Sequence, residues 1–464
     1  MTQLTKTIRE LAADLAAGRI TSMALTQQML ARAEAHRAQG GHAYVSLDGE
    51  QALMEARASD AARAAGIVAS PLAGVPVSIK DLFDVRGQVS SAASLALADA
   101  PPADADALAV ARLRAAGAVL LGRTNMSEFA FSGLGLNPHY GTPRNPYVHT
   151  RVAGGSTSGG AVTVALAMAA GALGTDTGGS IRIPSAFCGL TGFKPTAASV
   201  PLAGTVPLSR SLDSAGPIAH SVDCCAILYA ALSGHDIDAQ APALKGLRFG
   251  FTLDYVGTHV APQVQRAFDA ALDKLRAAGA QVEQFDFPEL LELPTINGGG
   301  GLVAAEAWHW HRVLLEEKGA QYDQRVAARI RRGRQQGAAD YIDLLDARAR
   351  LIAIAKQRLA PFDAWLMPSV AILAPQVAPL EADDATFFAT NGLVLRNASV
   401  ISFLDGCALS LPCHAEGELP VGLGICGLAG ADDTVLQIGR AVEVLLRGVE
   451  KNSASVQENA GFVI

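Results

Sequence analysis

Apolar residues return at helical spacing through residues 4–37, at Leu11, Leu15, Leu25, Met29 and Leu30, and Gly18 divides the stretch into two helices. Tyr44 to Leu47 reads as a short strand and the alanine-rich 50–66 as a helix, stopped by Pro71-Leu72-Ala73-Gly74. Val75 to Phe83 is a buried strand. A helix over 104–116 follows, with Leu108, Ala111 and Leu113 inward and a C-cap at Gly117, and then a strand at Ala118–Leu121. Gly122 to Phe129 reads as a turn into a helix. The same strand–helix–strand rhythm returns at Leu247–Phe251, Pro262–Ala278 and Gln281–Phe287. Two such units predict a sheet with parallel pairings.

Between and after these units the pattern is mostly helical. Ala161–Ala170 is a helix of small residues, and another helix lies near 221–232, introduced by Asp213–Ala219. Phe187–Pro195 reads as a turn-rich connection and 234–246 as a surface linker. Residues 302–355 are helical with breaks at Gly319 and Gly333. Trp365–Ser369 ends a strand, 386–404 is an apolar helix, and Leu409–Cys413 pairs with Leu423–Gly427 around Pro420. An amphipathic helix over Asp433–Leu446 precedes a polar tail after Glu450.

Half of the 464 residues are apolar and 17% are charged, enough to bury a large core. The net charge of −7 and the lack of a basic stripe argue against a nucleic-acid partner. Arg325, Arg329, Arg331, Arg332 and Arg334 come closest to one. Glu316, Glu317, Asp323, Asp340 and Asp343 flank them, so they read as a solvated helix face. The six cysteines form no CxxC pair and are expected as free thiols in a reducing compartment. The first twenty residues lack the apolar core of a signal peptide. The longest apolar run, Ala161–Leu173, is shorter than the roughly 20 residues that span a bilayer. A cytoplasmic protein without a membrane partner is expected.

The candidate chemistry centres on Gly174-Thr175-Asp176-Thr177-Gly178-Gly179-Ser180-Ile181-Arg182-Ile183-Pro184. Adjacent glycines let successive N–H groups line up as a nest for negative charge, and Ser180 ends that run. A hydroxyl beside such a nest suits acyl transfer; a plain Gly/Ser turn would read the same way. Lys80 sits in an apolar strand. It is either a surface partner of Asp81 or Asp84, or a desolvated lysine able to act as a neutral base. The loop Gly154–Gly160 lacks the Gly-Lys-[Ser/Thr] ending of a phosphate-binding P-loop. His139, His149, His220 and His414 fit no triad motif and read as structural or surface residues. No His/Cys/Asp cluster has metal-ligand spacing.

Together, Lys80, the Ser156 loop and the Ser180 loop resemble the amidase signature family. Gly74-Val75-Pro76, Thr124–Ala130, Gly192–Thr196, Leu411-Pro412-Cys413 and Leu419–Leu423 agree with it too. The resemblance implies one α/β/α unit over 1–464 around a mixed, largely parallel twisted sheet, with its core at about 70–220. A less similar region at about 240–400, including Gly298 to Trp310, is expected to form the pocket. It also implies a Ser–Ser–Lys site: Ser180 as nucleophile, Lys80 as base and Ser156 as the bridge, held by a cis Gly155–Ser156 peptide. Ser158 is the competing bridge, because this loop carries Thr157 and Ser158 where the family pattern has Ser and Gly. The N–H groups of Thr177, Gly178, Gly179 and Ser180 are the expected oxyanion site. Asp176 and Arg182 are expected to brace the loop. Met126, Gly155 and Arg396 are candidate substrate contacts, Arg396 for a carboxylate. The implied activity is hydrolysis of a small linear amide, without cofactor or metal, by a chain that can pair as a homodimer. Two alternatives remain: the glutaminase-type subunit of an aminoacyl-tRNA amidotransferase, and a catalytically inactive scaffold.

Overall fold

A computed structural model describes residues 6–237 and 240–447. The tail after Glu450 lies outside them. The strands are β1 (Tyr44–Leu47), β2 (Pro76–Lys80), β3 (Val119–Thr124), β4 (Gly171–Thr175), β5 (Thr191–Lys194), β6 (Ala215–Ala219), β7 (Arg248–Phe251), β8 (Gln281–Gln284), β9 (Ala364–Pro368), β10 (Cys407–Pro412) and β11 (Gly422–Gly427). All join one sheet in the order β1-β3-β2-β4-β6-β5-β10-β11-β9-β7-β8.

Both strand–helix–strand units form, with β2 parallel to β3 and β7 parallel to β8. β2 is also parallel to β4, and β7 to β9. The other six pairings are antiparallel. The sheet is therefore mixed, as expected, but not largely parallel. β6 inserts antiparallel between β4 and β5, and the β10–β11 hairpin continues the alternation.

Strands β5 and β6 were hidden because Gly192, Gly216 and Pro217 read as turn residues. Here glycine answers close approach instead. A Cβ on Gly192 would lie 2.2 Å from Ser185 Oγ, and one on Gly216 2.4 Å from Phe193 O.

Neighbouring strand residues point to opposite faces, and helices cover both. Leu409 of β10 packs at Gly439 in helix Asp432–Arg447. Ser410 turns the other way, toward Gly422 and Ala186 of helix Arg182–Cys188. That seven-residue helix is buried along its whole length. Helix Asp384–Phe403 closes over it, with Ala398 against Gly179.

Two local expectations need correcting. The helix after β2 starts only at Leu108. Leu108 is 42% exposed, and the inward arc falls on Ala109, Val110 and Leu113. Past Gly122 the chain remains strand to Thr124 and then makes only a short 3-10 turn at Glu128–Ala130. Asn125 prevents a longer helix by tying its side-chain amide to His42 O at 2.9 Å and Gly141 O at 2.8 Å. All six cysteines are free, five of them buried. No helix among the described residues is long and apolar enough to cross a membrane.

Candidate active site

Strand β2 lies between β3 and β4 and is buried at every residue, so Lys80 leaves its C-terminal end with no access to water. The surface-pair reading of Lys80 is thereby excluded. Asp81 instead meets Arg123 at 3.2 Å, also fully inside. Lys80 Nζ lies 2.7 Å from Ser156 Oγ and 2.8 Å from Thr175 Oγ1. Burial pulls the ammonium down to about 7, against the upward pull of the Asp213 and Asp176 charges. At neutral pH a substantial fraction of Lys80 is therefore the free amine.

Ser156 sits in the loop before helix Ser158–Ala165, and its peptide bond with Gly155 is cis. The loop is fixed through its backbone. Gly155 N–H donates to Gly133 O at 2.8 Å, Ser127 N–H to Ser156 O at 3.2 Å, and Thr157 N–H to Ser180 O at 3.2 Å. A side chain on Gly155 would meet Gly135 N at 2.6 Å. The rival bridge, Ser158, is buried and its hydroxyl touches no polar partner, so Lys80 addresses Ser156.

Ser180 lies in the turn between β4 and helix Arg182–Cys188. Asp176 organises that turn by accepting from Gly179 N at 2.7 Å, Ile181 N at 3.2 Å, Arg182 Nε at 3.0 Å and Arg182 Nη2 at 2.8 Å. Burial alone would raise its pKa. The Arg182 charge and hydrogen bonds prevail and hold Asp176 at about 2. Asp176 and Arg182 thus brace the loop.

This bracing narrows the expected anion nest. The Gly179 N–H is committed to Asp176, while those of Thr177, Gly178 and Ser180 have no acceptor among the described residues. The Thr177 hydroxyl donates to Asp213 Oδ1 at 2.5 Å. Burial raises Asp213 to about 6, offset by that bond and by the amides of Ser209 and Leu208.

The Ser180 hydroxyl makes no hydrogen bond among the described residues and faces a cavity of about 260 Å³. Thr177 and Gly178 share its wall. Phe131, Leu208, Leu212, Leu293, Leu395 and Phe403 make the rest largely apolar, and Gly300, Val303 and Ala304 bring the anticipated 298–310 region to it, beside Asn297. A hydroxyl facing an apolar pocket, amide N–H groups without an acceptor among the described residues and a buried amine are the kinds of group acyl transfer needs.

The other candidates lie elsewhere. Met126 is buried behind the wall, its carbonyl accepting from Asn137 Nδ2 at 2.9 Å. Arg396 donates to Asn397 Oδ1, Thr258 Oγ1 and Val256 O at 2.9, 3.1 and 3.0 Å, and the cavity wall does not include it. None of the four candidate histidines lines the cavity. His220 sits at 2.9 Å from Val164 O and His139 at 3.2 Å from Glu128. Among the described residues no group of three or more His, Cys, Asp or Glu could hold a metal ion.

Thr175 and Asp213 were missed as site residues. The signal for Thr175 was parallel pairing of the Lys80 strand with β4, which sets Ile79 beside Leu173. Arg329, also missed, reaches the cavity wall from helix Gln324–Arg331, so the solvated-face reading fails there.

The Amidase family model matches residues 24–436. The chain is 35% identical over 412 residues to 2-amino-5-chloromuconic acid deaminase of Comamonas testosteroni, covering 87% of this chain and 88% of that protein. It is 34% identical over 461 residues to a glutamyl-tRNA(Gln) amidotransferase subunit of Roseiflexus sp. (strain RS-1), covering 92% and 93%. A crystal structure of an amidase superposes with a TM-score of 0.85 at 35% identity, over 95% of this chain and all of that one. The chain belongs to the amidase signature family and is a hydrolase acting on the C–N bond of amides.

Proposed function

We propose that the protein hydrolyses a small linear carboxylic amide through an acyl-enzyme on Ser180. The observation that carries this reading is the 2.7 Å contact between Ser156 and a buried Lys80 held near neutrality. Lys80 takes the Ser156 proton as Ser156 takes that of Ser180. The Ser180 oxygen attacks the carbonyl, and the oxyanion forms against the N–H groups of Thr177, Gly178 and Ser180. The C–N bond breaks, and the nitrogen leaves with a proton returned through Ser156. Water, deprotonated by the same relay, then cleaves the ester, so R–CO–NH–R′ and water become acid and amine or ammonia. For the Ser156-to-Ser180 transfer, the Ser180 hydroxyl turns toward Ser156, which is open to it because it has no other partner. The chain works as one catalytic unit in the cytoplasm, without a cofactor.

Intact mass after treatment with a small fluorophosphonate tests this. One adduct on the wild type, absent from Ser180→Ala, is expected. Equal labelling of both proteins would overturn the assignment. The likeness to glutamyl-tRNA(Gln) amidotransferase favours a second reading, in which other chains complete the enzyme. Ammonia release from glutamine only when such chains are added would support it.

A further inference from the structure

The cavity over Ser180 has a charge its proposed chemistry does not use. Two guanidinium groups line it, Arg329 and Arg332, and no aspartate or glutamate does. Elsewhere in the same arginine cluster the charge is answered: Arg325 pairs with Asp384 at 2.7 Å. Among the described residues Arg329 and Arg332 have no ion pair.

Arg329 donates to Phe131 O and lies 4.3 Å over the Phe131 ring. That fixes the plane of the guanidinium and uses little of its hydrogen-bonding capacity. Its remaining N–H groups have no partner among the described residues and are not sealed in. Burial, with Arg332 nearby, lowers its pKa to about 10, still charged at neutral pH. Arg332 is anchored to Gly298 O at 2.6 Å, at the exposed rim.

A partly buried cation without a counter-charge in a largely apolar cavity is costly unless a ligand completes it. A planar guanidinium with free parallel N–H groups matches a carboxylate in two-pronged geometry. We propose that the substrate is an anionic amide, whose carboxylate is held by Arg329, with Arg332 assisting from the rim, while its amide carbonyl faces Ser180. This rests on the amidase reading of the site and specifies its substrate class. It also moves carboxylate recognition from Arg396, whose three nitrogens each donate to a protein acceptor and which is off the cavity wall, to Arg329.

The test uses the full-length Ser180→Ala protein, which binds without turnover, titrated calorimetrically with glutaramic and adipamic acids and with pentanamide and hexanamide. Charge-assisted hydrogen bonds of this kind predict that the acids bind about ten- to hundred-fold tighter than neutral amides of equal chain length. Adding Arg329→Gln should collapse that ratio to about one, and adding Arg332→Gln should lower it less. If Arg329→Gln fails to fold, Arg329→Lys, which keeps charge but loses the fork, should still reduce the ratio. Equal binding of acid and neutral amide, or a ratio that survives loss of the Arg329 fork, overturns the proposal. Fluorophosphonate labelling of the wild type separates the two claims. An adduct without acid preference sinks only the substrate class, and acid preference without an adduct sinks only the acyl-enzyme reading.

Discussion

The loops that carry Ser156 and Ser180 are held by backbone hydrogen bonds from several directions, whereas the elements closing the cavity meet it with side chains. On the floor, Ser127, Gly133 and Thr157 secure the serine loops through main-chain atoms, and the Asp176 carboxylate accepts from the main-chain N–H groups of Gly179 and Ile181. On the roof, Leu293, Val303, Arg329, Leu395 and Phe403 come from four helical segments, the last two from one helix, and contribute surface, shape and charge. A floor built from backbone tolerates few residue types, since a Cβ on Gly155 or Gly179 would strike neighbours at 2.6 or 2.5 Å. A roof built from side chains can be recast one residue at a time. Under the proposed mechanism, reaction and substrate choice lie in different parts of one chain.

The largest effect should come from breaking the floor. Ser180→Ala should lower kcat/KM on any accepted amide by at least about 10⁴-fold, measured by ammonia release. Lys80→Met should cost about 10² to 10⁴-fold, the range for a positioned general base. Under the proposed mechanism Lys80 works as the free amine, so wild-type kcat/KM should rise with pH and level off above about 7. A profile flat from pH 5 to 9 would show that Lys80 is not the base.

Asp176→Asn tests whether the floor is also structural. It leaves Arg182 charged, buried and without its carboxylate, which costs about 3–5 kcal/mol in comparable buried pairs. Urea unfolding should show that loss, and activity should fall with it. Arg396→Gln alters a residue of a roof helix that is itself off the cavity wall, and should do less. Losing its bonds to Thr258 and Val256 should cost about 1–3 kcal/mol and leave the preference between acidic and neutral amides unchanged. A loss of acid preference in Arg396→Gln would return carboxylate recognition to that residue.

The same division explains what was legible in the sequence. Backbone-bound features show as glycines and strands, so both strand–helix–strand units, the β10–β11 pair and the Ser180 turn could be read from the residues, whereas the Ser156 bridge and the Asp176–Arg182 brace came from the family resemblance. Lys80 was ambiguous because Asp81 and Asp84 stood next to it. What decides is Arg123, 42 residues from Asp81, which takes the Asp81 carboxylate. The commitment of the Gly179 N–H was hidden because a motif does not give the direction in which each amide points. Arg329 was assigned to solvent because its neighbours are charged. Its reach into the cavity follows from how helix Gln324–Arg331 docks through Val326, Ala327 and Ile330. Arg396 is the converse case, a helical arginine near the pocket in sequence but turned to the 256–258 loop in space.

The smallest effect reads the cost of the base directly. Between about pH 7 and 10.5 the unfolded chain keeps a proton on Lys80 that the folded chain has released. The unfolded state then binds more protons, so raising pH through that window favours folding, by at most about 1.4 kcal/mol per pH unit from this group. Below about 7 both states are protonated and the slope vanishes, leaving the full penalty of burying the ammonium. Lys194, also buried and lowered to about 8, acts in the same direction, so the wild-type slope alone is not diagnostic. The difference between wild type and Lys80→Met isolates Lys80. Their stability gap, measured by urea unfolding at pH 7, 8 and 9, should shift toward the wild type at each step. A gap independent of pH would mean that Lys80 keeps its proton inside the fold, and the relay through Ser156 would lose its base.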